Sequence, residues 1–214
     1  MNKILFPAQI KYLESFRKEE DPLILEMEEF AAENKIPILD WQSANFLEQL
    51  IRIHNPKRVL EIGTAIAYSS IRIAGNLRKK GILHTIEVSK DNVERARENI
   101  DKSGLGEKIK LIEGDALSIL PKINKKFDFI FLDADKEDYA RLFDFALILL
   151  KKNGLIFIDN LLWHGFAASP HVPSEFKNTT LFIREFNKIF MNRPDLKTTI
   201  IPVGDGIGIG IKIK

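Results

Sequence analysis

Three oxygen donors and a lysine stand just beyond two apolar runs in the second half of the chain. Asp133 follows Phe127-Asp128-Phe129-Ile130-Phe131-Leu132, and Asp159 and Asn160 follow Leu155-Ile156-Phe157-Ile158. Two carboxylates and an amide suit a hard cation, Mg²⁺, Ca²⁺ or Mn²⁺, with water and substrate oxygens filling the remaining positions. Lys136 lies one helical turn beyond Asp133 and can project toward the same point. A lysine facing a bound cation has its ammonium form disfavoured, so its pKa is expected to fall toward that of a general base. The plain alternative makes Asp133 and Asp159 helix caps and Lys136 a solvated charge. Convergence of all four groups on one end of a sheet favours chemistry.

A second constellation lies earlier. Arg58-Val59-Leu60-Glu61-Ile62-Gly63 reads as a buried parallel strand and a glycine turn, followed by Thr64-Ala65-Ile66-Ala67-Tyr68-Ser69-Ser70 opening a helix. The next strand, Leu83-His84-Thr85-Ile86-Glu87, ends in an acid placed to hold a ribose. A nicotinamide site normally needs G-x-G-x-x-G to approach a pyrophosphate, whereas this turn offers Gly63 and has Ala67 where the last glycine would fall. That favours a nucleoside without a pyrophosphate, and S-adenosylmethionine (SAM) fits: Glu87 for the ribose, with Glu61, Gly63 and Ser69 for the amino acid end. Asp115, in Glu113-Gly114-Asp115-Ala116, either caps the next helix or accepts from an adenine amino group, and the sequence leaves both open.

These groups are positioned by strands over 58–62, 82–87, 109–113, 127–132 and 155–158, alternating with helices near 67–79 and 90–103 and one burying Tyr139, Leu142, Phe143, Ala146 and Leu150. The pattern predicts an α/β fold, a doubly wound, mostly parallel sheet with helices on both faces. Lys151-Lys152-Asn153-Gly154 reads as a helix stop, with cations at the negative end of the dipole and a glycine free to turn left-handed. A stretch from Trp163 to Thr180, rich in small residues, proline and polar groups, is expected to be a mobile loop beside the site, followed by a helix carrying Phe182, Phe186, Ile189 and Phe190. Thr198–Val203 and Ile207–Ile213 alternate strictly across Gly204-Asp205-Gly206, which predicts an antiparallel hairpin on the sheet. Gly208 and Gly210 would leave one face bare for close helix packing.

Residues 1–56 carry no convincing strand. Tyr12, Phe16, Leu23, Met27 and Phe30 recur at helical spacing, and Asp40 is placed to cap a helix burying Ala44, Leu47, Leu50 and Ile51 that ends at Asn55-Pro56. Two or three helices are expected here, with Trp41 and Gln42 near the crevice entrance and Trp41 more naturally a packing anchor. The whole chain reads as one domain, a helical extension over 1–56 and a core over 57–214.

Composition narrows the classes. The 32 basic and 30 acidic residues leave a net charge of +2, so no strong overall field announces a nucleic-acid protein. The absence of cysteine excludes disulfides, thiolate nucleophiles and cysteine-held metals. The N-terminus lacks the apolar core of a signal peptide, and the run from Phe145 to Leu150 is too short to span a bilayer, so a cytoplasmic protein without membrane insertion is expected.

Taken together, VLEIGTAIAYS (59–69), EGDA (113–116), LDADKEDY (132–139), GLIFIDNLLWHG (154–165) and the terminal Gly204-Asp205-Gly206 resemble the cation-dependent class I O-methyltransferases, the group of catechol and caffeoyl-CoA O-methyltransferases and their bacterial relatives. The resemblance runs from about Ile38 to the C-terminus. It implies that Glu61, Gly63, Ser69, Glu87, Ala116 and, with Asp115 and Asp133, the neighbouring strand ends contact SAM. It likewise implies that Asp133, Asp159 and Asn160 bind the metal and that Lys136 is the base. Ala67 departs from the glycine of many relatives. The implied acceptor is a catechol-like hydroxylated small molecule or, since LEIGTAIAYSS (60–70) is similar to bacterial tRNA 5-hydroxyuridine methyltransferases, tRNA. A homodimer is expected. The rival from another class is a non-catalytic SAM- or nucleotide-binding module whose acidic strand ends only cap helices.

Overall fold

Apolar runs covered on both sides become the inner strands, and the amphipathic segments between them become the covering helices. A computed structural model describes residues 5–214. Helices α1 (Pro7–Glu14), α2 (Pro22–Asn34) and α3 (Trp41–His54) precede β1 (Arg58–Ile62), α4 (Tyr68–Asn76), β2 (Ile82–Glu87), α5 (Lys90–Ser103), β3 (Ile109–Glu113) and the single turn α6 (Ala116–Ile119). Then follow β4 (Phe127–Leu132), α7 (Tyr139–Leu149), β5 (Leu150–Ile158), α8 (Lys177–Met191), β6 (Leu196–Ile201) and β7 (Ile207–Lys212). The seven strands lie in the order β3-β2-β1-β4-β5-β7-β6. Strands β1 to β5 pair in parallel, and the hairpin β6–β7 joins antiparallel to β5. The order reverses between β1 and β4, where a crevice opens at the carboxyl ends of the strands.

One face of the sheet buries Val59, Phe129, Phe131 and Phe157 against α3, α4 and α5, while the other buries Leu60, Ile62, Ile130 and Ile156 against α7 and α8. The glycines of β7 serve that second face as the sequence predicts: a Cβ on Gly208 or Gly210 would come within 3.1 to 3.3 Å of the Phe190 ring of α8. Asp40 caps α3 by accepting from the amides of Gln42 and Ser43, and Asn55 ends it in the left-handed conformation.

Four local expectations are corrected. Helix α7 ends at Leu149 because Leu150 already pairs with Phe127, and residues 151–154 bulge out of the ladder before Leu155 pairs with Phe129. Asn153 takes the left-handed conformation in place of Gly154, and the carbonyls at the end of α7 are met by distant cations, Lys126 on Ile148 and Lys212 on Leu147 and Leu150. In α8 the buried stripe is Thr180, Ile183, Phe186 and Phe190, which leaves Phe182 and Ile189 outside. The stretch 163–180 is tied down: Arg184 donates to the carbonyls of Phe166, Ala167 and Ser169, and Phe166 stacks on Phe176 at 5.2 Å. At the N-terminal side helix α1 buries none of its residues, and Tyr12 within it and Phe16 beyond it are exposed. Among the described residues no helix is long and apolar enough to cross a membrane.

Candidate active site

Gly63 fixes the geometry of the crevice. Its φ is +99°, and a Cβ there would lie 1.8 Å from the carbonyl oxygen of Asp133, so the β1 turn and the end of β4 touch backbone to backbone. No other residue fits such an approach. Asp133 in turn donates its amide to Ile62, and Asp159 donates to Leu132, which brings three strand ends into register. The turn continues through Ala65 and Ala67, both left-handed at φ 46° and 71°, and Ala67 is the residue from which α4 starts.

Around this point lies a cleft of about 700 Å³. Gly63, Ser69, Glu87, Asp115, Ala116, Asp133, Lys136, Asp159 and Asn160 all line it. Glu61 is the expected contact that the structure does not bring to the cleft surface. It is fully buried one layer behind, accepting from the hydroxyls of Ser69 and Ser70. Burial pushes its carboxyl up to about 7, against the opposing pull of those hydroxyls. Trp41 and Gln42 are also absent from the cleft wall, which Pro37, Ile38 and Leu39 form instead, and Arg17 lies over the Trp41 ring.

Glu87 is anchored by three amides: Ala65 on one oxygen at 2.8 Å, Val88 and Ser89 on the other at 3.0 and 2.9 Å. The oxygen reached by Ala65 alone keeps a second lone pair for a ligand in the cleft. Asp115 resolves one of its two readings in favour of the cap, accepting from Leu117 N and Ser118 Oγ, while its residue still borders the cleft. Those bonds, the Ser118 hydroxyl foremost, hold its carboxyl below the usual range.

At the other end Lys136 Nζ donates to Asp133 Oδ1 at 2.9 Å, to the Ala134 carbonyl at 3.0 Å and to Tyr139 Oη at 2.8 Å. Burial alone would favour the neutral amine, but Asp133 and Tyr139 outweigh it and the ammonium is stabilised. The charge that Lys136 faces is the Asp133 carboxylate, which favours the ammonium, whereas the expected fall in its pKa belongs to a lysine facing a cation. Tyr139 continues the chain to the carbonyl of Asp159 at 3.2 Å. Asp159 is buried, its Oδ1 has no hydrogen-bond partner, and burial together with Asp133 raises its pKa well above the ordinary value. An orphaned carboxylate oxygen beside a second carboxylate is unfavourable in a low-dielectric site, and it is the donor chemistry that a hard divalent cation satisfies.

Asn160 has φ 63° and gives its Nδ2 to Asp205 Oδ2 at 3.3 Å. The same Asp205 accepts from the amide of His164, and its carbonyl accepts from Leu162 at 2.9 Å. Trp163, His164, Thr179 and Phe182 complete the wall on this side. Sequence reasoning assigned no site role to Tyr139 or Asp205. Tyr139 sits three residues from Lys136 but looks like any core aromatic, and both it and Asp205 entered the resemblance only as members of the LDADKEDY and Gly204-Asp205-Gly206 motifs, without a role of their own.

The O-methyltransferase family profile matches residues 14–213. Caffeoyl-CoA O-methyltransferase 2 of Petunia hybrida is 33% identical over 203 residues, covering 90% of this chain and 84% of that protein. Among solved structures, the O-methyltransferase TomG of Streptomyces achromogenes, involved in tomaymycin synthesis and in complex with SAM, superposes with a TM-score of 0.84 at 27% identity, covering 97% of this chain and 96% of the other. The O-methyltransferase of Bacillus cereus in complex with S-adenosylhomocysteine gives 0.84 at 26% identity, covering 96% and 97%. With a matching profile over nearly its whole length, and relatives captured with the methyl donor and with its demethylated product, this chain belongs to the SAM-dependent O-methyltransferases, of the caffeoyl-CoA O-methyltransferase type.

Proposed function

We propose that this protein methylates one hydroxyl of a catechol-like aromatic small molecule with the help of a divalent cation. The observation that carries the reading is the orphaned, buried Asp159 oxygen set beside Asp133, Lys136 and Asn160 in the cleft that also contains Glu87. Asp133, Asp159 and Asn160 are the residues that would hold Mg²⁺, Ca²⁺ or Mn²⁺. When bound, the cation supplies positive charge that holds an acceptor hydroxyl and lowers its pKa.

The chain's own residues do the rest. Glu87, fixed by three backbone amides, accepts from the ribose hydroxyls, and Ser69, Gly63 and Ala116 border the rest of SAM. Trp163, His164 and Phe182 give an aromatic wall against which a planar acceptor packs. In the transfer, an oxygen lone pair forms the new C–O bond, the C–S bond breaks with its electrons moving to sulfur, and S-adenosylhomocysteine leaves. The hydroxyl proton passes to Lys136 Nζ. That requires the neutral amine, and a cation held by Asp133 would weaken the hold of that carboxylate on Lys136. Positioning and electrostatics carry the rate.

We further take residues 1–56 as a helical extension of a single methyltransferase domain of a cytoplasmic protein, and the exposed Phe6, Tyr12 and Phe16 support a homodimer. The test is methyl transfer from labelled SAM to catechols or to unmodified tRNA, with Mg²⁺ or with chelator. Cation-dependent labelling of a catechol is expected. Labelling of tRNA alone would move the acceptor to 5-hydroxyuridine, and tight SAM binding without any turnover would favour the non-catalytic module.

A further inference from the structure

We propose that Asp205, at the tip of the β6–β7 hairpin, is a positioning residue that fixes which way the Asn160 amide faces. The inference rests on the reading of Asn160 as a cation ligand and adds a residue outside that ligand set. A carboxylate only accepts hydrogen bonds, so the group Asn160 turns toward Asp205 must be its NH₂, and its oxygen is left for the cleft. Without such a partner the amide has two nearly isosteric orientations, one of which would aim a donor at a cation.

Asp205 is itself held against rotation. Its other oxygen accepts from the His164 amide at 2.5 Å, its carbonyl accepts from Leu162, and Gly206 beside it accepts from Leu161 at 2.8 Å. A Cβ on Gly206 would lie 2.7 Å from Leu162 N, so the hairpin tip lies flat on the loop that leaves Asn160. That loop is strained: Asn160, Trp163 and His164 all have positive φ, and such conformations persist when surrounding bonds over-determine them. Both Asp205 oxygens accept, one from the Asn160 Nδ2 and the other from the His164 amide, and these bonds are the ones that would orient Asn160.

Asp205→Asn tests this by changing one acceptor into a donor with almost no change of shape. The amide so introduced has one side-chain acceptor for two donors. The His164 amide cannot flip, so the Asn160 amide must turn over, directing its NH₂ at the cation site. Mn²⁺ affinity measured by calorimetry on the SAM-bound protein should fall about 10- to 100-fold, as it does for lost outer-sphere partners, while SAM affinity stays within about twofold. Adding Asn160→Asp should restore Mn²⁺ affinity, because a carboxylate at position 160 accepts from the new amide at position 205 and still presents oxygen to the cation. Unchanged Mn²⁺ affinity in Asp205→Asn, or no recovery in the folded double variant, overturns the proposal. If the single variant does not fold, the double variant decides alone by its Mn²⁺ affinity. Absence of Mn²⁺ binding to the wild-type protein, or its persistence in Asp159→Ala, instead refutes the cation reading itself.

Discussion

Glu61→Gln should stabilise the ligand-free protein at alkaline pH and leave it nearly unchanged in acid. Glu61 is fully buried with its carboxyl pushed from 4.5 to about 7, chiefly by burial, and only the Ser69 and Ser70 hydroxyls, with a smaller contribution from Thr85, partly offset this. Below about pH 4.5 folded and unfolded chains both carry the proton, so the group adds no pH dependence. Between 4.5 and about 7 the unfolded chain releases the proton while the folded chain keeps it, and wild-type stability falls as pH rises. At about 1.4 kcal/mol per pH unit, this difference amounts to about 3 kcal/mol once the pH exceeds 7. The glutamine side chain has no charge to bury, and the serine hydroxyls can turn to accept from its NH₂. Urea unfolding of both proteins at intervals from pH 4.5 to 8.5 reads the difference directly. The expected curves separate progressively and become parallel above about pH 8, with the variant more stable by about 2 to 3 kcal/mol. Curves that stay parallel across the whole range would show that Glu61 ionises without penalty and would refute the account of this site.

Gly63→Ala should destabilise the fold by about 3 kcal/mol or more, a sum of the left-handed φ and of a methyl driven into the Asp133 carbonyl, read as a fall in the urea midpoint. A normal midpoint would mean that the β1 and β4 ends are not in backbone contact. Glu87→Ala should weaken SAM binding by about 1.5 to 3 kcal/mol in calorimetric titration, because charge-assisted bonds to the ribose are lost. Unchanged affinity removes Glu87 from the donor site. Lys136→Ala should lower turnover about 10² to 10⁴-fold with little change in SAM affinity. Residual activity should rise with pH as ionised acceptor substitutes for the missing base, and coincident single-turnover pH profiles for the two proteins would end the base assignment.

Elements were legible where one local signal decided them. The five parallel strands announce themselves as short, two-sided apolar runs, and α5 has a serine cap and a glycine stop at either end of its stripe. The start of β5 was not legible, because Leu150 belongs equally to the apolar face of α7 and to the sheet. Only its pairing with Phe127, a tertiary contact, decides between them. The candidate site follows the same division. Residues at strand ends are recognisable because the sheet order dictates which ends meet, so Glu87, Asp133, Asp159 and Asn160 could be grouped without coordinates. The layer behind was not, since whether Glu61 reaches the cleft depends on which way one side chain leaves a strand buried on both faces.

The charge state of Lys136 shows why chemistry is harder to read than location. Its position three residues beyond Asp133 is a sequence fact, but its pKa follows from a competition that spacing cannot rank: burial, which favours the amine, against Asp133 and Tyr139, which favour the ammonium. The second pair wins. The site is therefore held in a closed ion pair that shields Asp133 and keeps Lys136 protonated, with Asp159 left as the unsatisfied partner. Under the proposed cation reading, Asp133 and Asp159 would hold the ion and its charge would compete with Lys136 for Asp133, which would link cation binding to loss of the Lys136 proton. Under that reading cation affinity should rise with pH, with protons released on binding from Lys136 and from the raised Asp159 carboxyl, so Lys136→Met should remove only the first contribution while Asp205→Asn lowers affinity at every pH alike. The hydrogen-bonded chain from Lys136 through Tyr139 ends on the backbone carbonyl of Asp159, so it fixes where that strand end lies while the Asp159 carboxyl couples to Asp133 and Lys136 through space.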